Sequence, residues 1–216
     1  MSLNHPRWLA ALSLCLVSQT AAADALGERI AAAGTSSGTV ACSSCHGADG
    51  AGNAAAGFPA LAGMDAGYLS AQLKQIRDGS RGSPVMQASL GPITDAEIAA
   101  VSGHYAALPP LAPAAAPDAD TAGLGQKLAE VGDWPGRDLP ACTSCHGPGG
   151  RGVGAAFPAI AGQHASYISA QLQAWRAGER ATDPNNMMGS VADKLTQEEI
   201  EAVSAWFAAQ PLGGDQ

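Results

Sequence analysis

Residues 41–50 read ACSSCHGADG and residues 141–150 read ACTSCHGPGG. In each stretch two cysteines three positions apart are followed directly by a histidine: Cys42, Cys45 and His46, then Cys142, Cys145 and His146. Side chains three apart on a helical turn share a face, with β-carbons roughly 5–6 Å from one another. A flat macrocycle can then be bonded at two neighbouring edge positions while the adjacent imidazole reaches the metal at its centre. This is the attachment pattern of c-type haem, so the spacing predicts two covalently bound haem c groups, each with its iron.

Three other uses of such cysteines fit less well. Zinc ribbons place their two CxxC units about 15–20 residues apart, whereas these two lie 100 residues apart. A redox dithiol is expected near a strand-helix-strand pattern, which the chain does not show. Paired disulfides would leave the histidine after each pair without a reason.

An iron held by one histidine needs a ligand on its other face, and soft thioether sulfur suits it. Met86 and Met188 fall at matching places, each eight residues before a threonine that opens a helix, Thr94 and Thr196. Met187 stands beside Met188 and competes with it. Met64 has Gln163 as its counterpart and reads as packing. His104 and His164 answer to Trp206 and Asp65, so they read as surface or satisfied polar groups. Gly47, Gly50 and Gly52, like Gly147, Gly149 and Gly150, permit tight backbone paths close to a macrocycle. Pro59 and Pro158 each follow a phenylalanine in loops of similar length, a place from which a carbonyl could hold the histidine ring by its second nitrogen.

The elements that carry these residues are doubled. Gly57-Phe-Pro-Ala-Leu-Ala-Gly63 answers to Ala156-Phe-Pro-Ala-Ile-Ala-Gly162, and Tyr68-Leu-Ser-Ala-Gln-Leu73 to Tyr167-Ile-Ser-Ala-Gln-Leu172. Arg77-Asp-Gly-Ser-Arg81 answers to Arg176-Ala-Gly-Glu-Arg180, and after a short insertion Met86–Ile98 answers to Met188–Ile200. A repeat of this period is read as one unit built twice. Thr94-Asp-Ala-Glu97 and Thr196-Gln-Glu-Glu199 are capping boxes that start helices. Ile98, Val101, Tyr105 and Leu108 follow at helical spacing, as do Ile200, Val203 and Phe207. Leu69, Leu73 and Ile76 form another stripe, matched by Ile168, Leu172 and Trp175. No run alternates, so the expected fold is all-α, in two tandem domains at 24–108 and 121–216. The proline- and alanine-rich stretch 109–120 between them reads as a linker, because its prolines cannot continue a helix.

Residues 1–23 have the pattern of a secretory leader: Arg7, an apolar run over 8–17, and an Ala-rich exit before Asp24. The run is too short for the roughly 20 residues of a membrane span, which argues against stable membrane insertion and for a periplasmic location. Without the leader, the four cysteines of the two CxxCH stretches are the whole thiol content. The net charge of −8 becomes about −9, with the second half the more acidic, so nucleic acid and anionic membrane surfaces are poor partners.

With CxxCH, FPA[LI]AG, YxSAQL, the late methionine and the capping-box helix all present twice, the chain resembles the dihaem cytochrome c4 family over nearly all of its mature length. The resemblance implies two cytochrome c-type domains, each around one covalent haem. It implies that Cys42, Cys45, His46 and Met86 hold the first haem and Cys142, Cys145, His146 and Met188 the second. It further implies that the carbonyls of Pro59 and Pro158 orient the axial histidines. Iron held by His and Met has no open position for substrate, so the expected role is single-electron transfer and not catalysis. The implied donors are a cytochrome bc complex or a dehydrogenase, and the implied acceptors a terminal oxidase or reductase. An alternative is the dihaem electron-transfer subunit of a dehydrogenase, such as flavocytochrome sulfide dehydrogenase or alcohol dehydrogenase. A dihaem enzyme would need an open or differently ligated haem, and thiosulfate enzymes of that kind typically use an extra cysteine that the mature chain lacks.

Overall fold

A computed structural model describes residues 22–213. The leader expected over 1–23 lies outside those residues except for its last two positions. The first half contains α1 (22–33), α2 (Ser43–His46), α3 (Ala66–Arg77), α4 (Pro84–Leu90) and α5 (Asp95–Ala107). The second contains α6 (Ala119–Glu130), α7 (Trp134–Arg137), α8 (Thr143–His146), α9 (Ala165–Arg176), α10 (Met187–Ala192) and α11 (Gln197–Ala208). Among the described residues there is no strand, only isolated bridges, so the all-α expectation holds. Four pairs of elements after α1 and α6 follow the sequence repeat. α7 is extra: it occupies a connection three residues longer than its counterpart, 131–142 against 34–42.

The capping boxes form as the sequence indicates. Thr94 accepts from the Glu97 amide while Glu97 accepts from the Thr94 amide, and Thr196 and Glu199 do the same. These reciprocal bonds satisfy amides that a helix start otherwise leaves free. From there α5 buries Ile98, Val101 and Tyr105, and α11 buries Ile200, Val203 and Phe207. The first helix of each half crosses the last at a glycine. A β-carbon on Gly27 would run into the Ala100 carbonyl, and one on Gly125 into the Ala202 carbonyl. The two crossings can be this close only because neither residue has a side chain.

The core of the second half gathers Leu128, Leu139, Ile168, Leu172, Ile200 and Phe207, with Trp175 and Met188 packed against it. The first half has two smaller clusters, one around Ile30, Met64, Leu69 and Tyr105, the other around Ile76, Leu90, Ile93 and Ile98. Ala159 and Leu212, from the second half, join the cluster around Met64. Residues 109–118 have no regular structure, yet they are not loose: the Ala114 amide donates to the Ala208 carbonyl at 2.8 Å.

Candidate haem-binding sites

Each CxxCH stretch folds into a single turn. The His46 amide donates to the Cys42 carbonyl and the His146 amide to the Cys142 carbonyl, both at 2.9 Å. The turn is what brings two sulfurs and the following imidazole to one side. Gly52 and Gly152 then close the loop back, donating to the His46 carbonyl at 2.8 Å and the His146 carbonyl at 2.7 Å. Gly52 has φ +75°, and a β-carbon there would lie 2.6 Å from the Pro59 carbonyl oxygen. The glycines after the histidine thus make room chiefly for chain atoms: Gly52 for Pro59, and Gly50 for the Tyr105 ring.

That approach sets the imidazoles. His46 is 5% exposed and its Nδ1–H donates to the Pro59 carbonyl at 3.0 Å; His146 is 9% exposed and donates to the Pro158 carbonyl at 2.7 Å. Burial holds both imidazoles below their ordinary pKa, with the proline carbonyl pulling partly back. Each ring is therefore neutral, and with the proton on Nδ1 its Nε2 carries a free lone pair. His46 Nε2 is buried without a hydrogen-bond partner. A buried, unpartnered imidazole nitrogen is costly unless a further group completes it.

Both rings border one continuous cavity of about 810 Å³. It is lined by Cys42, Cys45, Cys142 and Cys145, by Pro59 and Pro158, and by Met86, Met187 and Met188. Met86 is half-buried against the Ile76–Leu90 cluster and Met188 against the second-half core. Met187 is 43% exposed. The Met188 amide donates to Asp183 Oδ2 at 2.6 Å, which fixes the start of α10. All four cysteines are free, and burial pushes the Cys42 thiol up and the Cys142 thiol to about 11. A redox-active CxxC pair has a lowered pKa at its attacking thiol, the opposite of the shift at Cys42 and Cys142. Among the described residues no three His, Cys, Asp or Glu side chains gather as for a metal ion. Paired thiols and an unfilled imidazole nitrogen on the wall of a large apolar cavity fit two covalent haems.

Several residues at the site carried no signal in the sequence. Tyr105 lines the same cavity, and its hydroxyl is buried without a hydrogen-bond partner. Gln163, read only as the counterpart of Met64, crosses between the halves: its Oε1 accepts from the Ala60 amide and its Nε2 donates to the Ala60 carbonyl, both at 2.9 Å. Ala60 follows Pro59, so the second half braces the loop that holds His46. His164 is a satisfied polar group, bonded through Nε2 to the Ala51 carbonyl at 2.8 Å. His104 packs edge-on to Tyr105, 5.2 Å between ring centres, and Met64 is buried as packing.

The cytochrome c family model matches residues 25–104 and again 124–210. The thiosulfate dehydrogenase electron acceptor of Stutzerimonas stutzeri (strain A1501) is 46% identical over 198 residues, 91% of this chain and 90% of that protein. Cytochrome c4 of Azotobacter vinelandii is 38% identical over 203 residues, 87% of this chain and 91% of that protein. Among solved structures, thiosulfate dehydrogenase (TsdBA) from Marichromatium purpuratum superposes with a TM-score of 0.81 at 49% identity. That match covers 87% of this chain and 40% of the other, so this chain spans well under half of that protein. Two matched domains, each with its CxxCH turn on a shared cavity, and relatives alike over nearly their full length place the chain in the cytochrome c family, as a dihaem member of the cytochrome c4 type.

Proposed function

We propose that this dihaem electron carrier works in the periplasm as the electron acceptor of a dehydrogenase, with thiosulfate dehydrogenase the leading donor. We assign His46 and Met86 as axial ligands of the first haem iron, and His146 and Met188 as those of the second. The observation that carries the assignment is the pairing of a neutral, Nδ1-anchored imidazole with a thioether on the wall of one cavity, in both halves. A haem bound there supplies reversible one-electron exchange at its iron. The chain's part is to fix that chemistry. Pro59 and Pro158 hold the imidazoles by Nδ1, which keeps Nε2 as the ligating atom and raises its basicity. Met86 and Met188 would supply the thioethers that complete the two irons, and a thioether ligand favours the reduced state. Iron held by these two residues would have no position open to substrate, which supports transfer and not catalysis by this chain.

The donor class rests on the S. stutzeri relative, and the periplasm on the leader expected over 1–23. No helix among the described residues is long and apolar enough to cross a membrane. A second reading, a free shuttle between a cytochrome bc complex and a terminal oxidase or reductase, rests on the cytochrome c4 relative.

Two measurements test the proposal. The oxidised protein should show the weak near-red band of methionine sulfur on ferric haem in two equivalents; one or none would overturn the ligand assignment. Rapid mixing with a thiosulfate dehydrogenase and thiosulfate should reduce both haems within the enzyme's turnover time. Reduction that needs a bc complex and ignores the dehydrogenase would favour the second reading.

A further inference from the structure

The repeat places an arginine at the end of its Arg-x-Gly-x-Arg segment, Arg81 in the first half and Arg180 in the second, and the fold brings the two together. They pair through their backbones in an isolated antiparallel bridge. Arg81 donates from Nη1 to its own half's Gln72 Oε1 at 2.8 Å, and from Nη2 to Gln171 Oε1 at 2.9 Å and the Tyr167 hydroxyl at 2.8 Å across the interface. Arg180 mirrors it, donating from Nη1 to Gln171 Oε1 at 2.7 Å and from Nη2 to Gln72 Oε1 at 2.9 Å and the Tyr68 hydroxyl at 3.5 Å. Each glutamine oxygen is thus shared by both guanidinium groups.

The arrangement is electrically incomplete. Arg81 is 8% exposed and Arg180 6%, and a guanidinium stays charged in a protein. Every hydrogen-bond partner just named is neutral, and among the described residues no carboxylate forms an ion pair with either. Arg180 Nε is buried with no hydrogen-bond partner, and the one further group on this guanidinium is the neutral Trp175 ring, 4.0 Å away. Two acids line the same cavity, but Glu179 is exposed and Asp183 is bonded to the Trp175 indole and the Met188 amide. Two buried like charges in contact with the same oxygens call for an anion.

Both arginines line the cavity that the CxxCH cysteines also line. A haem bonded through its vinyl-derived edge carries two carboxylates on the edge away from those bonds. We infer that Arg81 and Arg180 form one shared clamp for the carboxylate side chains of both haems. This inference rests on the haem assignment above and adds the groups that neutralise and position each macrocycle's far edge. Its electrical consequence follows from charge: a cation beside the carboxylates offsets their negative field at the iron and so favours the reduced state. Because Gln72 and Gln171 each bridge both guanidinium groups, removing one arginine disturbs the carboxylates of both halves.

The test is potentiometric titration of the holoprotein followed optically, for wild type and for Arg81→Gln and Arg180→Gln. Both midpoint potentials should fall in each single variant, with two equivalents of the near-red band retained. Arg81→Lys and Arg180→Lys, which keep the charge and lose the fork, should fall less and serve if the Gln variants do not assemble. Unchanged midpoints with the band intact would overturn the clamp, and a fall confined to the substituted half would overturn its sharing. A wild type that lacks the band would overturn the axial methionines alone, since the midpoint shifts report the arginines whatever completes the iron.

Discussion

Met187 and Met188 are neighbours with the same donor atom, and their surroundings separate them. Met188 has its amide pinned by Asp183 and its side chain against the second-half core, whereas Met187 is exposed. Met188→Ala should remove one of the two near-red equivalents and lower one midpoint potential, while Met187→Ala should leave both spectrum and potentials unchanged; optical titration of the two variants decides it. Gln163 makes the same kind of point for stability. It satisfies both polar groups of buried Ala60, and an unsatisfied buried backbone group costs about 1–3 kcal/mol. Gln163→Ala should therefore lower unfolding stability by about that amount in urea titration. Replacement by Met, the residue at the matching place in the first half, should not restore it, because a thioether offers no N–H to the Ala60 carbonyl.

Between elements, the first and last helices of each half cross closely at Gly27 and Gly125. Adding one methyl at such a contact forces backbone apart, and overpacking of this kind costs about 1–3 kcal/mol. Gly125→Ala should lower the thermal midpoint by several degrees, and Gly103→Ala, at a position with open space, should not. The extra turn α7 is tied to α11 by Arg137, which donates to Glu199 Oε1 at 2.7 Å and Oε2 at 2.9 Å and to the Lys194 carbonyl at 2.9 Å. The Arg137 guanidinium, opposed by burial and helped by the Thr196 backbone, holds Glu199 below its ordinary pKa of 4.5. A carboxyl depressed in the folded state stabilises fully above its unfolded pKa and loses that stabilisation as pH falls through its folded one. The stability gap between wild type and Arg137→Ala should thus be widest above about pH 4.5 and close on further acidification, as urea midpoints measured from pH 3 to 7 would show.

The whole molecule is acidic, with a net charge of −8, and built around a large internal space. Its second-order rate of electron exchange with a small basic redox protein should fall as salt rises, and with an acidic one should rise, since screening weakens steering and repulsion alike. Stopped-flow rates against ionic strength check both signs. The cavity of about 810 Å³ is apolar and shared by both halves, and halves of roughly 90 residues have thin cores of their own. Protein made without haem should lose fixed tertiary structure, read as collapse of near-ultraviolet circular dichroism with partial retention of the helical signal.

The sequence by itself determined what is local or doubled. The CxxCH turns, the capping boxes of α5 and α11, and the stripes of α3 and α9 depend on residues within a few positions of one another, and the repeat showed each pattern twice. Fold class and cofactor were legible for that reason. The contacts that join the halves were not, because they bridge residues about 86 to 113 positions apart and have no periodicity to betray them. Gln163 binds backbone atoms of Ala60, so no complementary side chain exists to signal it. Arg81 and Arg180 were visible as a repeated residue, but only tertiary packing buried both charges, brought them onto shared oxygens and turned them to the cavity where the haem carboxylates would neutralise them.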